Sequence, residues 1–290
     1  MKLQKIHLPM ISSKKHLLAT TAALALMLPA SAPAIIIDFE TASGYSTTGG
    51  TTYANGNLVG QPSGTGVTKW TGTTTAGSDD IRVVADGGGQ VAQTTNNAST
   101  PYYRFLPSDA DLGGTFNSAS SLLAYSFNVR YDTALAANGA LVRPRFGDAN
   151  NPITNFELDA PGTFIYNDGA ANFASKTVSA GGTNFIATKD VWFVISGVID
   201  YGTDTYTLFV NGVQQTGSGG AGDYNLNFLA SGVQTAEFNM RDLGGGGATY
   251  VQLSFDNISL QLVPENGTGT LMGLALALMA FPRRRPARKS

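Results

Sequence analysis

Glu157 and Asp159 stand two residues apart, on either side of Leu158. On a strand that spacing turns both carboxylates to one side, roughly 7 Å from each other, where one can protonate a glycosidic oxygen while the other acts as base or nucleophile. Ala160, Pro161 and Gly162 follow, so no further acid joins them locally. The same residues admit a structural reading. If Leu141 to Phe146 and Ile153 to Leu158 fold back across Gly147 to Pro152, Arg143 falls opposite Glu157 and Arg145 lies diagonal to it. A cross-strand ion pair would hold Glu157 ionised, the wrong state for a general acid, and no catalytic residue is assigned.

Asp38 and Glu40 lie at the end of the first apolar run after residue 34, and Asp256 lies in the run near residue 260. In the latter, Val251, Leu253 and Phe255 keep one parity while Ile258, Leu260 and Leu262 keep the other, so the alternation slips at Asp256-Asn257. A bulge there would re-aim the Asp256 carboxylate; if the two runs pair, Asp38, Glu40 and Asp256 form a set of hard oxygen ligands suited to a structural calcium. Acids exposed on a terminal strand are the plainer alternative. Tyr45, Tyr53, Trp70, Tyr102 and Tyr103 lie in or beside loops. Their rings can stack on a pyranose, or anchor the loops to the core.

The elements that must position these residues are strands. Ile35-Ile36-Ile37-Asp38-Phe39-Glu40 is β-branched and reads as the first. Ile81 to Ala85 and Gln90 to Thr94 flank Asp86-Gly87-Gly88-Gly89, a hairpin pattern, and Tyr102 to Leu106 is a further strand. Leu123, Tyr125, Phe127, Val129 and Tyr131 are all large and apolar, with Ser126, Asn128 and Arg130 between them, which marks a strand with one buried face. Ala236, Phe238 and Met240 repeat the pattern. Val191 to Ile199 is apolar on nearly both faces and belongs at a sheet centre. Tyr206 to Val210 runs into the turn Asn211-Gly212. No stretch from Ile35 to Leu262 has a convincing 3.6-residue period, so an all-β sandwich is expected.

Several of these segments together resemble the concanavalin A-like, laminin G-type jelly roll: Trp192-Phe193-Val194, Ile199-Asp200-Tyr201, Thr205 to Val213 with its Asn-Gly turn, and Phe255-Asp256-Asn257-Ile258-Ser259-Leu260. The resemblance implies that the last strand pairs near the first. It leaves function open, since the scaffold hosts lectins, glycan-binding modules, glucanases, lyases and spacers. Glu157-Leu158-Asp159 is similar to the start of the acidic motif of laminarinase-like glycosidases, without that family's next glutamate.

Both ends of the chain read as addresses. Lys2, Lys5, Lys14 and Lys15 precede an apolar stretch from Leu17 to Leu28, and Ala32-Pro33-Ala34 supplies the small residues that a signal peptidase reads, so residues 1–34 are expected to be a signal peptide cut after Ala34. At the other end come Val263-Pro264-Glu265-Asn266, a polar spacer, an apolar run Leu271 to Phe281, and Arg283, Arg284, Arg285, Arg288 and Lys289. This order resembles the PEP-CTERM sorting tail, with Asn266 where the family usually has a second proline. The resemblance implies recognition and removal of residues 263–290 by an exosortase-type enzyme. The run is shorter than the roughly 20 residues a stable span needs, which suits transient membrane insertion, and the arginines would hold its end on the cytoplasmic side.

Between the addresses, residues 35–262 form the expected jelly-roll domain. The chain has no Cys, which excludes disulfides, thiol catalysis and Cys-ligated zinc. Its two histidines, His7 and His16, lie in the leader, so the mature piece also lacks imidazole acid–base work and Ser-His-Asp triads. From Ile35 to Glu265, nine of the 18 basic residues remain against all 20 acids, a formal charge of −11. An acidic body without a basic stripe disfavours nucleic acid. These features lead to an exported surface or extracellular-matrix protein, associated with exopolysaccharide or biofilm, non-enzymatic and polysaccharide-binding. A glucanase- or lyase-like enzyme on the same fold is the alternative.

Overall fold

The computed structural model describes residues 35–39, 56–58, 62–63, 68–73, 81–94, 102–132, 142–147, 152–159, 162–175, 185–220, 222–229, 235–242 and 252–263. In chain order the strands are β1 (Ile35–Ile37), β2 (Gly56–Asn57), β3 (Pro62–Ser63), β4 (Thr68–Lys69), β5 (Thr71–Thr73), β6 (Ile81–Asp86), β7 (Gly89–Thr94), β8 (Tyr102–Phe105) and, after helix α1 (Asp109–Leu112), β9 (Leu122–Tyr131). They continue with β10 (Val142–Phe146), β11 (Phe156–Asp159), β12 (Thr163–Asp168), β13 (Ala171–Ala174), β14 (Phe193–Asp200), β15 (Thr205–Val210), β16 (Val213–Gln214), β17 (Leu226–Asn227), β18 (Phe238–Asp242) and β19 (Leu253–Val263). The fold is an all-β jelly-roll sandwich. Its ladders are antiparallel, with a first sheet in the order β16-β15-β14-β9-β19-β7-β6-β2 and β1 also on β19.

The second layer is built from two ladders, β10-β18-β8-β5 and β11-β12-β13. They meet where Gly147 bridges Pro152 and the Ile153 N–H donates to Phe146 O at 2.8 Å. The expected Arg143–Glu157 hairpin pairing is not formed: Arg143 pairs with Arg241, Arg145 with Asn239, and Glu157 with Ile165. The cause is local. Ile153 and Thr154 both direct their N–H groups at Phe146 O, and Thr154 Oγ1 accepts from the Phe146 N–H at 3.0 Å, so the strands part immediately after the turn.

The alternation read in β9 is the inner face of the first sheet. Tyr125 lies against Phe146 and Phe156, with ring centroids 4.8 and 6.1 Å away, and Phe127 lies against Phe238 at 5.3 Å. Each such pair contributes about 0.5–1.5 kcal/mol beyond its burial. β14 lies between β9 and β15, as its double-sided apolarity implies. At Gly197 in β14 a Cβ would fall 1.9 Å from Thr207 O and 2.7 Å from the Tyr125 hydroxyl, which itself donates to Thr207 O at 3.0 Å. Only glycine leaves room for that hydroxyl to reach the next strand.

Turns and edges follow their local chemistry. Gly87 and Gly88 close the β6–β7 hairpin at φ +57° and +107°, and Asn211-Gly212 closes β15–β16 at +49° and +79°. The parity slip is a bulge: the β19–β9 register shifts between Asp256 and Ser259, with Asn257 at φ +53°. Among the described residues, the one helix is α1. Ser108 caps it by accepting from the Asp111 N–H while Asp111 returns a bond to the Ser108 N–H, and Gly113 ends it in the left-handed region. Four residues are too short for a periodicity, but the Ser-x-x-Asp box and the Gly-Gly that follows are legible signals. β19 carries Val263 opposite Leu122 as its last residue. Residues 1–34 and 264–290, and with them Ala32, Ala34, Pro264, Glu265 and the tail arginines, lie outside the described residues.

Candidate functional site

The inward rows of the second layer are apolar: Phe146 on β10, Phe238 on β18, Tyr103 and Phe105 on β8, and Phe156 on β11, all buried. Alternation places Arg145, Asn239, Arg104 and Glu157 on the outer face. Register makes Arg145, Asn239, Arg104 and Thr71 one rung across β10, β18, β8 and β5. The rung is hydrogen-bonded side chain to side chain. Arg145 Nε donates to Asn239 Oδ1 at 2.6 Å, and Arg104 Nε donates to Thr71 Oγ1 at 3.2 Å. Asn239 Nδ2 donates to Gly147 O at 2.8 Å, and Arg104 Nη1 lies 3.5 Å from Glu237 Oε2.

An outward sheet face is ordinarily wet, yet Arg145, Glu157, Asn239 and Glu237 are all buried. The Arg104 side chain, 46% exposed, reaches solvent. The result is a buried polar floor of fixed donors and acceptors with one partly exposed cation, Arg104, beside it. Among the described residues two buried side-chain atoms lack hydrogen-bond partners, Asn155 Oδ1 and Thr235 Oγ1, each two residues before one of the buried glutamates in the chain. A buried orphan of this kind costs about 1–3 kcal/mol, which a water or a ligand hydroxyl relieves.

The first sheet has a contrasting outer face. Arg130 on β9 donates through Nε to Asp132 at 2.5 Å and through Nη1 and Nη2 to Asp86 at 3.0 and 3.2 Å. Ser254 and Gln93 both donate to Asp132 Oδ2, at 2.5 and 3.0 Å, and the guanidinium carbon lies 4.7 Å from the Trp192 ring centroid. Burial alone would lower the Arg130 pKa, but the two carboxylates outweigh it and hold it above the usual arginine range. Donors and acceptors there answer one another. A third polar cluster is a loop clamp: Asp168 accepts from the Ser218 N–H at 2.7 Å and from the Asn227 N–H and side-chain amide, both at 2.8 Å. Burial pushes its carboxyl up, but these donors outweigh that and leave it below the ordinary value.

The other expected site residues distribute unevenly. Trp70 and Tyr103 are wholly buried, with Trp70 ring-packed between Phe39 and Phe105 at 6.3 and 5.6 Å, so neither is a stacking platform. Tyr45 and Tyr53 lie outside the described residues, and Tyr102 is placed on β8 by register only. β1 does pair with β19, and Asp38 follows the rung Ile37–Ile258. The Asp256 carboxylate accepts from its neighbour Asn257, from the N–H at 2.7 Å and the amide at 2.6 Å. Glu40 lies outside the described residues, among which no group of three or more His, Cys, Asp or Glu is arranged to hold a metal. Among them, no helix is long and apolar enough to cross a membrane. The floor around Asn239 escaped sequence reasoning because Asn239, Arg104 and Arg145 are far apart in the chain.

No family model and no curated protein matches this chain. Solved structures that it is similar to include a sialidase, at 14% identity over 66% of this chain and 16% of that one, with a TM-score of 0.45. A carbohydrate esterase from a Shiga toxin-encoding bacteriophage matches at 17% identity over 72% and 99% of the two chains, TM-score 0.45. The alginate lyase from Corynebacterium sp. matches at 13% identity over 79% and 93%, TM-score 0.40. The chain spans less than a fifth of that sialidase, 16% of its length.

Proposed function

We propose that this chain is an exported, non-enzymatic surface or matrix protein that holds an extracellular polysaccharide against the outer face of its second layer. The observation that carries the reading is the floor of Arg145, Asn239 and Glu237, buried on a sheet face and fixed by cross-strand hydrogen bonds. Side chains already held in place lose little entropy on binding, and a sugar's hydroxyls can use both donors and acceptors. The route out of the cell would be the signal peptide cut after Ala34, followed by transient insertion of the tail and exosortase-type processing near Val263-Pro264-Glu265.

Glu157, buried on the same layer two residues from Asp159, favours the enzyme alternative. One experiment separates the readings. The full-length chain, purified in mild detergent, is melted against a panel of soluble glycans; a ligand at a hundredfold excess over its Kd adds about 2.7 kcal/mol of stability. A rise in Tm with one glycan class and no new reducing ends or unsaturated products supports the module. Cleavage of that glycan would replace it with the enzyme, and no rise with any glycan would remove the binding reading.

A further inference from the structure

The first and last strands put both ends of the body at one place. β1 and β19 pair antiparallel with Ile35 opposite Leu260, and β19 runs on only three residues, to Val263. Adjacent strands lie about 4.8 Å apart and rise about 3.4 Å per residue, so the points where the chain enters and leaves the sandwich are roughly 11 Å apart. Register fixes which end this is. Val263 pairs with Leu122 at the start of β9, and Leu122 with Asp200 at the end of β14, beside the Tyr201 to Asp204 turn. The loop before β9 joins the same end: Ser121 O accepts from the Tyr201 N–H at 3.0 Å, and a Cβ at Gly114 would lie 3.6 Å from the Leu262 side chain. The far end holds the Thr188 to Val191 turn, where the Asp190 N–H donates to Tyr131 O at 2.9 Å. Between the two ends β9 runs for ten residues, roughly 30 Å.

We infer that the end formed by Ile35, Val263 and the Tyr201 to Asp204 turn is the surface that this protein turns to a lipid bilayer during export, held there by short tethers that leave two adjacent strands. The inference rests on the export route proposed above and adds which face of the sandwich meets the membrane. Residues 29–34 separate the Leu17 to Leu28 run from Ile35, and residues 264–270 separate Val263 from the Leu271 to Phe281 run. Even fully extended, the longer tether reaches about 28 Å, and a flexible chain of that length averages about 16 Å. Neither lets the far end, roughly 30 Å away, turn down to the bilayer. Charge decides what holds the near end. From Leu106 to Ser121 and from Tyr201 to Asp204 there is no Lys or Arg, while Asp109 and Asp204 are exposed. Such a surface offers anionic lipid no cation, so only the covalent tethers keep it at the membrane.

The test uses the full-length chain, whose lack of cysteine leaves any introduced thiol unique. Thr203→Cys in the near turn and Thr188→Cys in the far one, both at exposed positions, are labelled with a fluorophore. Each is mixed with vesicles of phosphatidylethanolamine and phosphatidylglycerol that carry a nitroxide quencher at the headgroup. Both proteins are expected to float with the vesicles, with quenching several-fold stronger at position 203 than at 188. If Thr203→Cys does not fold, Ala119→Cys carries the label in its place, since the Ala119 carbonyl oxygen lies beside Gly202. Flotation with equal quenching at both positions, or with stronger quenching at 188, overturns the inference and leaves the export route standing. No flotation removes both. Leu26→Asp combined with Leu276→Asp, which charges both apolar runs, is expected to abolish flotation. Flotation retained by that variant also overturns the inference, because the body would then hold lipid without its tethers.

Discussion

The two outer faces of the sandwich use the same residue types to different ends. On the first sheet one arginine, Arg130, is enclosed by Asp86 and Asp132, with Ser254 and Gln93 taking up the remaining carboxylate oxygen. On the second layer Arg145 is buried against Asn239 while Arg104 reaches solvent beside Glu237, so a neutral amide accepts from the guanidinium where a carboxylate does on the first sheet. Both are buried polar networks on an outer face, so burial of polar groups does not by itself mark a site; one sets a guanidinium between two carboxylates and the other sets it against a neutral amide.

The comparison can be broken first from the interior, on which both faces depend. Gly197→Ala would set a methyl 1.9 Å from Thr207 O, so β14 and β15 must separate. A loss of about 3–5 kcal/mol is expected in urea unfolding, above the usual range for overpacking because the obstacle is backbone. Arg130→Ala comes next. It leaves Asp86 and Asp132 without their shared cation, and a loss of roughly 2–3 kcal/mol is expected with glycan affinity unchanged. If affinity fell with it, the first face would belong to the site.

Asn239→Ala removes the acceptor of Arg145 and the donor to Gly147 O, at an expected cost of about 1–3 kcal/mol. Unlike Arg130→Ala it is expected to reduce glycan binding too, and unchanged binding would detach the floor from function. The smallest effects are in pH. Burial, with the Asp168 charge nearby, raises the Tyr166 hydroxyl to about 12. Its contribution is whole below the unfolded value of about 10 and is lost as pH rises through about 12, so Tm is expected to fall across that window. Asp168, held below its ordinary value, acts in the opposite sense: its contribution is present above about pH 4 and lost as pH falls through its folded value. Asp168→Asn is expected to flatten the acid limb without touching the alkaline one.

Much of the scaffold was legible from local pattern. The alternation of β9 and β18, the turns at Gly87-Gly88 and Asn211-Gly212, and the bulge at Asp256-Asn257 are each written within a few residues. β12 and β13, whose turn uses Gly169, were not anticipated. Of the two roles open to Trp70, stacking platform or loop anchor, the structure shows the anchor, packed between Phe39 and Phe105, which its small and polar sequence neighbours do not reveal. Glu157 was read as one side of a hairpin pair with Arg143, whereas its backbone partner is Ile165 on β12.

Composition, parity and turn residues were sufficient to establish an antiparallel, cysteine-free sandwich with acidic character, since each depends on residues adjacent in the chain. The lateral order of strands is different. It brought Arg145, Asn239 and Arg104 onto one rung, from positions as much as 135 residues apart, through backbone ladders that any side chain can join. Period-two alternation says which face a residue takes, but not which strand lies beside it; that is settled only when the two layers close over a shared aromatic core.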